Sequence, residues 1–190
     1  TDLAGVVVAV GPDVAAWQPG DRVFGEGTGT FAEHTIARTD QLAAIPPGLS
    51  VEQAAALPLA GVTAQLCLDS AEAEPGSRLL LIGASGGVGL TAVELGALMG
   101  LKVIAAVGSD EKMEICKKYG ATMFVNYAKE KMRDKVKELT GGAGADIIYD
   151  AVGGDAFDES VRCIAWYGRL LVVGFAAGRI PSLPANLALL

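Results

Sequence analysis

No lysine precedes Lys102, yet eight fall from Lys102 to Lys137. The gap marks no domain boundary, because the change falls inside one strand–helix–strand unit. Histidine is scarcer still, with His34 alone among 190 residues. Cys67, Cys116 and Cys163 are odd in number and far apart. They match neither a disulfide framework nor a zinc-ligand spacing. A reduced, cytoplasmic compartment is the expectation, with a mitochondrial one left open. No run of about 18 apolar residues occurs, so no transmembrane helix is expected. "TDLAGVVVAVGPD" lacks a basic n-region and reads as a strand rather than a signal peptide. Basic residues are also in deficit, 15 against 22 acidic ones, for a net charge of -7. That balance argues against a general nucleic-acid binder.

What is present is a globular composition, 51% hydrophobic and 19% charged. Residues 3–10, 21–25, 30–37 and 41–45 read as short β segments. Gly11-Pro12, Pro19-Gly20 and Gly27 to Gly29 supply the turns between them. Ser50 with Gln53 forms a capping-box signature ahead of an alanine-rich helical run. From Arg78 the pattern alternates. Strands are expected at 78–83, 102–107, 122–125, 145–150 and 169–174, and helices near 87–99, 110–119, 130–139 and 155–163. Met132, Val136 and Leu139 make one apolar stripe on an otherwise charged helix, which Gly141 suits as a stop. Such alternation predicts an α/β fold, a doubly wound parallel sheet with helices on both faces.

"LLLIGASGGVGL" places a glycine cluster after a buried strand and before a helix. Its core, Ala84, Ser85, Gly86, Gly87, Val88 and Gly89, is a variant of the dinucleotide-binding fingerprint, with alanine at the first glycine position. Gly86 permits the tight turn, Gly87 lets a pyrophosphate approach the backbone, and Gly89 lets helix and strand pack closely. The helix amides and macrodipole then favour phosphate. An NAD site carries an acid about 20 residues further on, at the end of the second strand. That place is Gly108, in "AAVGSDEK". Ser109 and Lys112 offer instead a hydroxyl and a cation, the groups a 2′-phosphate needs, and Tyr127 in "FVNY" can approach the same corner. Asp110 and Glu111 would repel a phosphate if they pointed inward. On balance the residues favour NADPH over NADH.

The stretches "DLAGVVVAVGPDVAAWQPGDRVFG", "AALPLAGVTAQLCL", "GASGGVG", "AVGSDEK", "VNY", "DAVGG" and "GRLLVVGFAAGRIP" run in order along nearly the whole chain. In them the chain resembles the zinc-independent quinone oxidoreductase, zeta-crystallin-like branch of the medium-chain dehydrogenase/reductase superfamily. The resemblance implies a remnant of a GroES-like catalytic β domain at 1–46 and an NAD(P)-binding Rossmann domain at 47–190. It also implies NADPH-dependent, zinc-independent hydride transfer to a small quinone or enone, and a homo-oligomer, most simply a dimer. Against the family pattern the chain starts part-way and stops after "LPANLALL", ahead of a sixth strand. The substrate-facing tyrosine and asparagine of the family therefore fall on no residue here, catalytic residues stay unassigned, and the piece alone is expected to be nearly inactive. By resemblance, Val152 to Gly153 and Gly174 to Phe175 line the nicotinamide half, and Thr63 touches the nicotinamide or its ribose.

Zinc needs three protein ligands, and "TDLAG" stands where zinc branches carry Gly-His-Glu. His34 reads as structural, so no metal is expected. Asp150 reads as a cap on the turn after its strand rather than an acid or base, Cys67 and Cys163 as core, and Trp166 and Tyr167 as packing beside the last strand. A non-catalytic NADPH-binding or crystallin-like structural module remains the alternative, with an enoyl reductase unit of a multidomain synthase third.

Overall fold

The computed structural model describes residues 1–188 and contains two compact units, Thr1–Thr63 and Ala64–Leu190. Leu189 and Leu190, the end of "LPANLALL", lie outside the described residues.

The first unit holds an antiparallel sheet of β1 (Asp2–Val6), β2 (Arg22–Glu26) and β3 (Leu42–Ala44), with β2 in the middle. β1 stops at Val6, short of the expected residue 10, because its partner begins at Arg22, which pairs with Val6. The expected strand at 30–37 does not form. The sheet comprises β1, β2 and β3 alone, and that segment pairs with none of them. It closes a loop instead, with one bridge between Thr28 and Ile36, and leaves Phe31 and Ile36 exposed. Alternating polarity alone does not supply a pairing partner. Helix α1 (Val51–Ala55) opens on the expected capping box: Gln53 N donates to Ser50 Oγ at 3.2 Å, and Ser50 N donates to Gln53 Oε1 at 3.0 Å. Asp2 Oδ1 accepts from the Leu59 amide at 3.0 Å, in the first turn of α2 (Pro58–Ser70).

The second unit is a five-stranded parallel sheet. In chain order its elements are β4 (Arg78–Ile82), α3 (Gly87–Leu98), β5 (Lys102–Val107), α4 (Asp110–Lys118), β6 (Met123–Asn126), α5 (Met132–Leu139), β7 (Ala145–Asp150), α6 (Gly154–Ser160) and β8 (Ile164–Val172). The strand order is β6-β5-β4-β7-β8, so the winding reverses between β4 and β7. Strand alternation sends successive side chains to opposite faces. Leu79, Leu81, Val103, Ala105 and Tyr149 pack with Ala64, Leu68, Ala92, Val93 and Cys116, from α2, α3 and α4. Leu80, Ile82, Ile104, Ala106 and Ile148 pack on the other side with Met132 and Val136 of α5. Both faces of the sheet are thus dry and helix-covered, as the unbroken apolar run in β4 requires. Met132 and Val136 are fully buried, Leu139 packs against them, and α5 gives way at Thr140–Gly141 as its sequence implies. No helix among the described residues is long and apolar enough to cross a membrane.

Two expectations near the last strand need correction. α6 ends at Ser160, earlier than residue 163, because the Cys163 amide turns back to Ser160 O at 2.9 Å and starts β8. Trp166 and Tyr167 do not pack beside the strand. β7 offers only Asp146 between the paired Ala145 and Ile147, whereas β8 has four residues between Ile164 and Arg169. The excess is extruded as a bulge, with Tyr167 at φ 60° and both aromatic rings exposed. Cys163 is fully buried, and desolvation pushes its thiol up to about 12, which suits the expected packing role. Cys67 packs at the margin of the α2–α3 core.

At the amino ends of the strands, Asp146 clamps Arg78. Its carboxylate accepts from Arg78 Nη2 at 2.5 Å, Nε at 2.8 Å and the Arg78 amide at 2.7 Å, fixing the start of β4 against β7. The Arg78 hydrogen bonds hold the Asp146 carboxyl below its ordinary range. A native value below the unfolded one makes the contribution complete above the unfolded pKa and lost as pH falls through the folded one. Asp146→Ala is therefore expected to lower unfolding free energy by about 2 kcal/mol at pH 7, with an unchanged urea m-value. The gap between wild type and variant should hold down to about pH 5 and close below about pH 4. Urea titrations across that range check both statements.

Candidate functional site

The carboxyl ends of β4, β5, β7 and β8 meet where the winding reverses, the place where open α/β sheets take ligands. β4 hands over to the glycine loop through Gly83, at φ 77°, a conformation that L side chains rarely adopt. Its amide and that of Ala84 both donate to Ala106 O, at 3.1 and 3.3 Å, tying the loop to β5. A Cβ on Gly83 would stand 2.9 Å from Val152 Cγ2, so the loop also lies directly against the turn after β7. Ala84 is fully buried, and Ser85 and Val88 are half-buried.

The three glycines differ in what surrounds them. Gly86 is the N-cap of α3, and no side chain caps that helix. Its first-turn amides are thus free for an acceptor from outside the chain. Gly87 is exposed, with nothing within 4 Å of an added Cβ. Gly89 is buried, and a Cβ there would lie 2.3 Å from Gly83 O and 3.0 Å from Ala84 Cα. Gly89 thus sets how closely helix and strand approach, while Gly87 leaves an open backbone surface. The loop thus leaves an uncapped helix start beside an open backbone surface, features that suit an anionic group.

On the β5 side, Gly108 follows the strand without an acidic side chain. The ring of Tyr127 covers it: an added Cβ would meet Tyr127 Cε2 at 3.4 Å and the hydroxyl at 3.6 Å. The Tyr127 amide donates to Val107 O at 3.1 Å, which fixes that approach. Burial raises the Tyr127 pKa, so near neutral pH its hydroxyl is an intact O–H donor. Ser109 is the N-cap of α4, yet its hydroxyl makes no capping bond. Lys112 is exposed on the first turn of α4. Asp110, the acid of concern, is engaged: Asn126 Nδ2 donates to Oδ1 at 2.6 Å and Lys129 Nζ to Oδ2 at 2.5 Å. Lys129 and then Asn126 hold its carboxyl below the usual range.

On the β7 side, Asp150 caps the turn. Oδ1 accepts from the amides of Val152 at 2.8 Å and Gly153 at 2.9 Å, while Oδ2 is buried without a partner. The segment after β8 runs alongside. Gly174 N donates to Asp150 O at 3.2 Å and Ala177 N to Val152 O at 2.9 Å, and Phe175 Cδ1 would stand 3.2 Å from a Cβ on Gly153. The structure therefore gathers Val152, Gly153, Gly174 and Phe175 into one patch beside the glycine loop. Thr63 lies half-buried on α2 and belongs to the first unit, whereas the other thirteen residues belong to the second. Sequence reasoning missed Asn126, since "VNY" gives no sign that its asparagine reaches α4.

Among the described residues no three of His, Cys, Asp or Glu converge as a metal site. His34 lies exposed in the loop that replaces the expected third strand. The described residues do not themselves supply the three protein ligands that a catalytic zinc takes.

Comparison with known proteins places this geometry. The profile of zinc-binding dehydrogenases matches residues 87–190, and that of the alcohol dehydrogenase GroES-like domain matches residues 1–47. The chain belongs to the medium-chain dehydrogenase/reductase superfamily. Within it, the chain is 44% identical to a quinone oxidoreductase-like protein 2 homolog of Nematostella vectensis, over all of this chain and 53% of that protein. It is 42% identical to quinone oxidoreductase-like protein 2 of Mus musculus, over all of this chain and 55% of the relative. The crystal structure of Escherichia coli quinone oxidoreductase complexed with NADPH superposes with a TM-score of 0.91 at 33% identity, over 98% of this chain and 58% of the other. The chain thus spans about half the length of the curated relatives it matches.

The contrast between the glycines is testable by thermal unfolding. Gly89→Ala is expected to cost about 3 kcal/mol, since backbone must move on both sides of the added methyl. Gly87→Ala should be neutral or slightly stabilising, within about 1 kcal/mol, since its methyl meets open space on a helix.

Proposed function

We propose that this chain is the nucleotide-binding portion of an NADPH-dependent, zinc-independent quinone or activated-alkene oxidoreductase. The observation that carries the reading is the corner at Gly108. The strand end bears no acid, Tyr127 covers the glycine, the Ser109 hydroxyl is uncommitted, Lys112 is free in the first helical turn, and Asp110 is held by Asn126 and Lys129. A ribose 2′-phosphate needs such a donor set, whereas a 2′-hydroxyl needs a carboxylate. The NADPH complex of the Escherichia coli relative supports the same choice.

In this reading the Gly86–Gly87 backbone and the first-turn amides of α3 take the pyrophosphate. Ser109, Lys112 and Tyr127 take the 2′-phosphate. Val152, Gly153, Gly174 and Phe175 border the nicotinamide half. Bound there, the cofactor supplies a hydride to a small quinone or enone acceptor. The chain's own contribution is placement. Asp150 fixes the amides of Val152 and Gly153, the clamp between residues 150–152 and 174–177 makes that wall rigid, and Ala84 excludes water beneath the loop.

Calorimetric titration of NADPH and NADH at fixed salt tests the proposal. Lys112→Ala is expected to weaken NADPH about tenfold to a hundredfold and to leave NADH within about twofold. Gly108→Asp should reverse the preference, its Cβ meeting the Tyr127 ring at an ordinary contact distance. Equal losses for both cofactors in Lys112→Ala would contradict the assignment.

A further inference from the structure

Position 110 poses a problem for the corner just described. Asp110 stands next to Ser109 and two residues from Lys112, and a carboxylate there opposes a 2′-phosphate. The structure gives that carboxylate another engagement. Asn126 is 3% exposed, and each end of its side chain has a distinct partner. Nδ2 donates to Asp110 Oδ1 at 2.6 Å, and Oδ1 accepts from the Ala128 amide at 3.1 Å. The second contact holds the turn that carries Tyr127. The turn is fixed further by the Lys129 and Glu130 amides, which both donate to Asn126 O, at 2.9 and 3.0 Å, and by Glu130 Oε1, which accepts from the Asn126 amide at 3.1 Å. Lys129, presented by the same turn, completes the set on Asp110 Oδ2. The Asp110–Lys129 pair is exposed and contributes little alone. The buried amide, with one fixed orientation, is the directing element.

We infer that Asn126 is a specificity-positioning residue, which holds the Asp110 carboxylate so that the Gly108–Lys112 corner accepts a 2′-phosphate. The inference rests on the NADPH reading above. Asn126 touches no part of the cofactor in this account and acts through Asp110.

Asn126→Asp tests it with little change of shape. The new side chain can still accept from the Ala128 amide, but it presents an acceptor to Asp110 where wild type presents a donor. At pH 8, NADPH binding is expected to weaken about fivefold to tenfold while NADH stays within about twofold. Adding Asp110→Asn restores a donor–acceptor pair with the roles exchanged, and should bring NADPH back to within about threefold of wild type. Should Asn126→Asp fail to fold, Asn126→Ala carries the same expectation, with Asp110→Asn again the rescuing change. Equal losses for both cofactors, no loss, or a loss that Asp110→Asn does not repair would overturn the inference and leave the NADPH reading standing. A wild-type chain that binds NADPH and NADH alike would overturn both.

Discussion

The packing of α3 against the end of β4 tolerates no side chain at Gly89, where a methyl carbon would sit 2.3 Å from the Gly83 carbonyl oxygen. Much of the second unit's carboxyl edge depends on that contact. It lets α3 begin immediately beyond the loop, with first-turn amides that no side chain caps. Beside it Gly83 takes a positive φ, and the Gly83 and Ala84 amides reach Ala106 O on β5. The same loop abuts Val152, which joins it to the turn after β7. One close backbone approach thereby ties three strand ends and a helix N-terminus into a single rim.

The two ends of the sheet divide their tasks. At the amino ends, the Arg78–Asp146 clamp satisfies charged groups with each other and with backbone. At the carboxyl ends, polar groups are left open or half-used. The Ser109 hydroxyl makes no cap, the α3 amides have none, and Asp150 spends only one oxygen on its turn. Groups that fold and groups that await a ligand are expected at opposite ends of a parallel sheet with helices on both faces. Asp110 is the exception at the ligand end, an acid that the neighbouring turn already occupies.

How much of this is legible in the sequence depends on whether the cause is local. The glycine loop, the Ser50 capping box and the α5 stripe were readable because their partners lie within a few residues. The strand ends were readable because parallel strands place their consecutive loops along one edge. Residues 30–37 were misread because alternation reports two faces and does not supply a pairing partner, and only the Thr28–Ile36 bridge forms. Trp166 and Tyr167 were misread because their bulge arises from unequal residue counts between Ala145–Ile147 and Ile164–Arg169, a comparison across two strands. The engagement of Asp110 was out of reach for the same reason, since its partners lie 16 and 19 residues away on another turn.

The central claim is that the corner after β5 is built for a phosphate on the ribose. Adenosine 2′,5′-bisphosphate and 5′-AMP isolate that claim, since they share every group but the one in question and reach no part of the nicotinamide patch. Calorimetry on this chain at fixed salt should find the bisphosphate bound at least about tenfold more tightly, the size of one charge-assisted phosphate contact. Equal affinities, or a preference for 5′-AMP, would contradict the account.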